Sequence, residues 1–129
     1  MKKPFFLLLL AVTAFTSCQS QNQADTAEDE VVLPVEAYQE KLAANEEVQL
    51  LDVRTPKEYE AGHIEGAVNI NYFDEDFLSQ VEQRFEKGEP VMLYCRSGNR
   101  SAKATAAMKE AGFEKIYDLK GGFNQWPKK

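Results

Sequence analysis

The sequence predicts a single α/β domain: a parallel β-sheet flanked by helices on both faces. Two observations carry that prediction. From Val31 onward, short apolar runs alternate with segments whose apolar residues recur at helical spacing, the pattern of strand–helix–strand units. Glycines also stand where helical segments should stop, at Gly62, Gly88 and Gly112, since a chain leaving a helix often needs the freedom that only glycine has.

Taken in order, Val35, Tyr38 and Leu42 mark one face of a first helix, with Pro34 suited to its opening turn. Val48 to Val53 reads as a buried strand. Thr55-Pro56-Lys57-Glu58 then carries a helix start, with a Thr N-cap, Pro at the first position and a Glu that can reach back. Ala67 to Ile70 is a short strand. Phe77, Leu78, Val81 and Phe85 share a face of a helix expected over 74–86. Val91-Met92-Leu93-Tyr94 is the most apolar strand of the chain, and Ala104, Ala107, Met108 and Ala111 follow at i, i+3, i+4 and i+7. Small residues on that face let a helix lie close to a sheet. Lys115 to Asp118 is a last strand. No internal repeat and no glycine-rich nucleotide loop is visible.

Composition narrows the function by exclusion. With 129 residues, 43% hydrophobic and 28% charged, the chain suits one globular domain. A net charge of −6 argues against a nucleic-acid partner, which calls for a basic surface. His63 is the one histidine, so no zinc site using two imidazoles can form. Two cysteines, Cys18 and Cys95, are too few for a disulfide scaffold or a four-cysteine metal centre. No metal and no cofactor is expected.

The first residues are a different material. Lys2 and Lys3 precede an apolar run from Phe5 to Phe15 broken only by Thr13. Eleven residues are too short for a bilayer, which takes about twenty, but they fit a secretory signal over residues 1–17. Cys18 follows directly, an arrangement that resembles the lipobox of bacterial lipoproteins, with Phe15 where a Leu is usual. Cys18 is therefore expected to carry lipid, the alternative being an ordinary signal with a cysteine at its boundary. Residues 18–30 read as a flexible acidic linker and residues 31–129 as the domain. Removing residues 1–17 leaves 13 basic and 21 acidic side chains, a charge of −8. Acyl chains would then hold the protein to a membrane of the bacterial cell envelope, periplasm-facing or at the outer membrane.

The chemistry is expected in Tyr94-Cys95-Arg96-Ser97-Gly98-Asn99-Arg100-Ser101, between the most apolar strand and a helix. Open α/β sheets place ligands at that end of a strand. A turn from strand into helix presents backbone N–H groups and the positive end of the helix, and Arg96 and Arg100 add charge. All of these favour a Cys95 thiolate, the nucleophilic form. Gly98 permits a tight backbone, and Ser101 can cap the helix. The alternative for Cys95 is an inert cysteine at a strand end.

Four segments together resemble the rhodanese-like sulfurtransferase domains: Leu51-Asp52-Val53-Arg54; Glu58-Tyr59 with Gly62 to Ile70; Cys95 to Ser101; and Gly121-Gly122-Phe123-Asn124-Gln125-Trp126. The resemblance implies a rhodanese-like parallel sheet. It also implies transfer of a sulfane sulfur from a donor such as thiosulfate, through a Cys95 persulfide, to cyanide or a thiol, including a protein thiol. Under it, the loop amides from Arg96 to Ser101 hold the terminal sulfur anion. Arg100 closes the loop, Arg96 meets the anionic donor, and Asp52 and Arg54 brace the loop and neighbouring turns. His63 becomes a structural turn residue, Phe123 and Trp126 edge packing, and Lys57 and the 74–76 acidic run solvated surface.

Three alternatives stay open: a non-catalytic sulfur carrier or partner-binding module, a cysteine-dependent phosphatase, and an arsenate reductase. Dual-specificity phosphatases place five residues between Cys and Arg to cradle a phosphoryl group, whereas four separate Cys95 from Arg100.

Overall fold

The structure is a computed structural model in which residues 30–45 and 47–128 are described. The signal, Cys18 and nearly all of the acidic linker lie outside the described residues. Five strands form the sheet: β1 (Glu30–Leu33), β2 (Gln49–Asp52), β3 (Val68–Asn69), β4 (Val91–Tyr94) and β5 (Ile116–Leu119). All neighbours pair in parallel, in the order β1-β5-β4-β2-β3. The helices are α1 (Val35–Ala44), α2 (Pro56–Ala61), α3 (Phe77–Arg84) and α4 (Asn99–Glu110), followed by a 3₁₀ turn at Gly122–Gln125. None of the described helices is long and apolar enough to cross a membrane. The single parallel sheet with helices packed against it agrees with the architecture that the resemblance implied.

Strand alternation divides the core into two layers. Val91, Leu93 and Cys95 point to a layer shared with Phe77 and Val81 of α3 and Ala104 and Met108 of α4. Met92 and Tyr94 point the other way, to Tyr38 of α1, Ile64, Ala67 and Leu119. Successive side chains of a strand face opposite sides, so β4, with neighbours on both edges and every residue buried, supplies both layers. Tyr38 is fully buried and its hydroxyl donates to the Leu93 carbonyl at 3.0 Å. Burial, with Asp118, Tyr94 and Asp52 nearby, pushes its phenol well above the ordinary tyrosine range.

The expected α2 start is present in full. The Thr55 hydroxyl accepts from the Glu58 amide, and the Glu58 carboxylate accepts from the Thr55 amide. Several boundaries differ from expectation, and β1 was not expected as a strand at all. The first strand begins at Glu30, inside the segment read as linker, because its backbone pairs with Ile116 of β5. The third helix runs only Phe77–Arg84, not 74–86. Residues 71–76 instead form turns in which the Asp74 amide donates to Asn71 and the Phe77 amide to Asp74. At the other end Phe85 is already extended, so Gly88 plays no part in the stop. The 3₁₀ turn had no periodicity to announce it.

Candidate active site

Cys95 follows the last residue of β4 and is 1% exposed. The loop after it turns at Gly98, whose φ of +115° only glycine adopts without strain, and continues directly into α4. The Gly98 amide donates to the Cys95 Sγ at 2.9 Å. The thiol in turn donates to the Ser101 Oγ at 3.3 Å. The sulfur therefore sits under the first turn of a twelve-residue helix, where amides and the helix dipole favour negative charge. Ser101 does not cap α4 as expected. The cap is Gly98, and Ser101 is fully buried, facing the sulfur and the Gly98 carbonyl at 3.1 Å.

Arg100 is engaged by a carboxylate on another helix. Its Nη1 and Nη2 donate to the two Glu58 carboxylate oxygens at 2.7 and 2.9 Å, a bidentate pair that ties α4 to α2. Arg100 draws the Glu58 carboxyl down to about 2, with help from the Thr55 bonds and against some burial. The same pairing raises Arg100. Its charge is thus largely spent on Glu58 instead of standing free beside the thiol. Phe73, 66% exposed, lies against the guanidinium with its ring centre 5.6 Å away. Arg96, Ser97 and Asn99 are exposed on the outer side of the loop, which leaves Arg96 as the loop's accessible cation.

Asp52 and Arg54 act one step away from the sulfur. Arg54 Nε and Nη2 meet the Asp52 carboxylate at 2.7–3.1 Å, and Nη2 also donates to the Gly62 carbonyl at 2.6 Å. The guanidinium lies 4.3 Å from the Phe123 ring centre, and Phe123 stacks on Tyr94 at 5.9 Å. The Phe123 and Asn124 amides then donate to the carbonyls of Cys95 and Arg96, at 2.8 and 3.0 Å. Asp52 and Arg54 therefore brace the loop through the 3₁₀ turn. That approach is possible only because Gly122 has no side chain. A Cβ there would come within 2.5 Å of the Arg96 carbonyl and 2.6 Å of the Cys95 oxygen.

His63 is held elsewhere. Its ring lies flat on Tyr59 with centroids 3.7 Å apart, and its Nδ1 donates to the Tyr59 carbonyl at 2.9 Å. The next amide, of Ile64, donates to the Tyr94 hydroxyl at 3.0 Å, and burial raises that phenol above its ordinary range. Trp126 packs edge-on against Tyr38 at 6.3 Å. Lys57 and residues 74–76 are exposed, as expected. A cleft of about 1060 Å³ runs beside the cysteine loop, walled by Arg54, Glu58, His63, Arg96, Phe123 and Trp126. No cluster of His, Cys, Asp and Glu suited to a metal ion occurs among the described residues.

Sequence reasoning missed three contributors. Glu58 was read only as part of a cap, although it stands in the Glu-Tyr segment of the resemblance. Gly122 was quoted without a role. Asp118 was read as the end of a strand, yet it is 4% exposed, with its Oδ2 3.0 Å from the Ser101 Oγ. An acidic residue inside an apolar strand was the available signal, because buried carboxylates need a partner.

A buried cysteine at the carboxyl end of the central parallel strand, in a tight loop that opens into a helix, defines a cysteine-loop α/β domain. The chain belongs to the rhodanese-like family, whose Rhodanese-like domain matches residues 35–129. It is 40% identical over 87 residues to thiosulfate sulfurtransferase 16, chloroplastic, of Arabidopsis thaliana, covering 60% of this chain and 72% of that one. Thiosulfate sulfurtransferase 18 of the same plant is 34% identical over 118 residues, 83% of this chain and 87% of its own. Among solved structures, a rhodanese-like domain protein from Staphylococcus aureus superposes with a TM-score of 0.67 at 27% identity. That match covers 77% of this chain and 93% of the other.

Proposed function

We propose that the protein is a sulfurtransferase that carries a sulfane sulfur on Cys95. The observation that carries this reading is the sulfur's position: under the Gly98 amide, in a loop with four residues between Cys95 and Arg100. The Cys95 thiolate attacks the outer sulfur of thiosulfate. The new S–S bond forms on Cys95 as the donor's S–S bond breaks, and sulfite leaves with the bonding pair. The persulfide then passes its terminal sulfur to cyanide or to a thiolate, restoring the Cys95 thiolate. Loop amides and the α4 N-terminus balance the persulfide charge, and Arg96 on the cleft wall meets the anionic donor.

Arg100 favours this reading over phosphatase chemistry. Both of its terminal nitrogens are engaged by Glu58, so it does not turn inward to grip phosphoryl oxygens. The test is a mass spectrum of the full chain after thiosulfate treatment. One added sulfur atom on Cys95 is expected, and none in Cys95→Ser. Absence of the adduct together with hydrolysis of an aryl phosphate would overturn the proposal.

We also propose that Cys18 carries lipid and anchors the protein in the bacterial cell envelope, where a protein thiol is a natural acceptor. This rests on the apolar run and the position of Cys18. Partitioning into the detergent phase should vanish in Cys18→Ala, and a variant that still partitions refutes the anchor.

A further inference from the structure

Three buried polar side chains from three elements meet in a line. Cys95 directly follows β4, Ser101 lies in the first turn of α4, and Asp118 is in β5 on the face it shares with Ile116. Their exposures are 1%, 0% and 4%. The Ser101 Oγ stands 3.3 Å from the Cys95 Sγ and 3.0 Å from the Asp118 Oδ2. A hydroxyl has one proton to give and two lone pairs with which to accept. Here it accepts from the thiol, so its own proton goes to Asp118 or to the Gly98 carbonyl at 3.1 Å. A carboxylate is the stronger acceptor of the two.

We infer that Asp118 is a positioning residue that takes up the Cys95 thiol proton through the Ser101 hydroxyl. The S–H bond breaks as a new Ser101 O–H forms, and the original Ser101 O–H breaks as an Asp118 O–H forms. No electron is transferred, and one negative charge moves from the carboxylate to the sulfur. Ser101 is left as a donor toward the thiolate and later toward the persulfide, so the buried thiol ionises along the protein's own hydrogen bonds.

Among the described residues, the charged or titratable groups nearest the line include two buried phenols and two ion pairs. Tyr38 from α1 and Tyr94 from β4 are phenols raised above their ordinary range. Asp52 of β2 is bonded to Arg54, and Arg100 of α4 to Glu58. Each of those pairs is closed by its own hydrogen bonds.

The inference rests on Cys95 being the nucleophile proposed above, but its test does not use sulfur transfer. Iodoacetamide alkylation of the Cys95 peptide is followed against pH in the full chain. In Asp118→Asn the rate at pH 7 should fall about tenfold, with the profile displaced upward by about one pH unit and rejoining wild type in alkali. Ser101→Ala should show the same displacement, the double variant no more, and Ser101→Thr should restore the wild-type profile. If Asp118→Asn does not fold, the two Ser101 variants decide. Superimposable profiles, an equal loss at every pH, or faster alkylation in Asp118→Asn would each overturn the relay. A wild-type chain that takes no sulfur from thiosulfate would instead overturn only the transfer reading.

Discussion

Glu58→Gln isolates the charge of the ion pair that fastens the cysteine loop. Glutamine keeps an oxygen that can accept from Thr55 at the helix cap, so the capping box is largely preserved while the negative charge is lost. A carboxyl held at about 2 against an ordinary 4.5 corresponds to about 3 kcal/mol of stabilisation. The Glu58 side chain is 27% exposed, and solvent screening brings the contribution to about 1–2 kcal/mol. Thermal unfolding should therefore show a melting temperature lower by roughly 5–10 °C for a domain of this size. The pH dependence fixes the cause. Because folding lowers this carboxyl, the stabilisation is complete above pH 4.5 and is lost as pH falls toward 2. The gap between wild type and Glu58→Gln should narrow steadily below pH 4.5. Arg100→Ala should remove the same stabilisation, with a coupling of about 1–2 kcal/mol in the double-mutant cycle. A gap that stays constant between pH 7 and pH 3, or additive single variants, would refute the reasoning.

Gly122→Ala puts a Cβ 2.5 Å from the Arg96 carbonyl at a φ of +66°. Urea unfolding should show a loss of about 2 kcal/mol or more, together with slower sulfur loading. Wild-type stability in that variant would mean the 3₁₀ turn does not depend on this close approach. Arg96→Ala should raise the half-saturating thiosulfate concentration about tenfold while leaving loading at saturation and the melting temperature unchanged. An unchanged half-saturating concentration would remove Arg96 from donor binding.

The sequence showed most of the fold through local rules. Alternation and length marked β2 and β4, and Thr55, Pro56 and Glu58 marked the start of α2, because each pattern is written within a few residues. Cys95 and its loop were visible for the same reason. Pairings across the chain were not. Nothing near Arg100 indicates that Glu58, 42 residues earlier, will take its guanidinium, and nothing near Ser101 points to Asp118. The length of α3 also eluded the pattern, since its apolar face extends to Phe85 although the backbone has already left the helix. Spacing reports which face a residue occupies, whereas ion-pair partners are chosen by the packing of whole elements.

Cys95 continues the series of Val91 and Leu93, with its side chain on the same face of the sheet. Sliding β4 by one residue against β2 and β5 would bury apolar side chains almost as well, since Met92 and Tyr94 are equally enclosed. It would also turn the cysteine toward Tyr38 and away from Ser101 and α4. The nucleophile is therefore aimed by the register of the core. Substitutions at Val91 or Leu93, far from any substrate, act on the same coordinate as substitutions in the loop, and a chain folded one step out of register would be compact and inert.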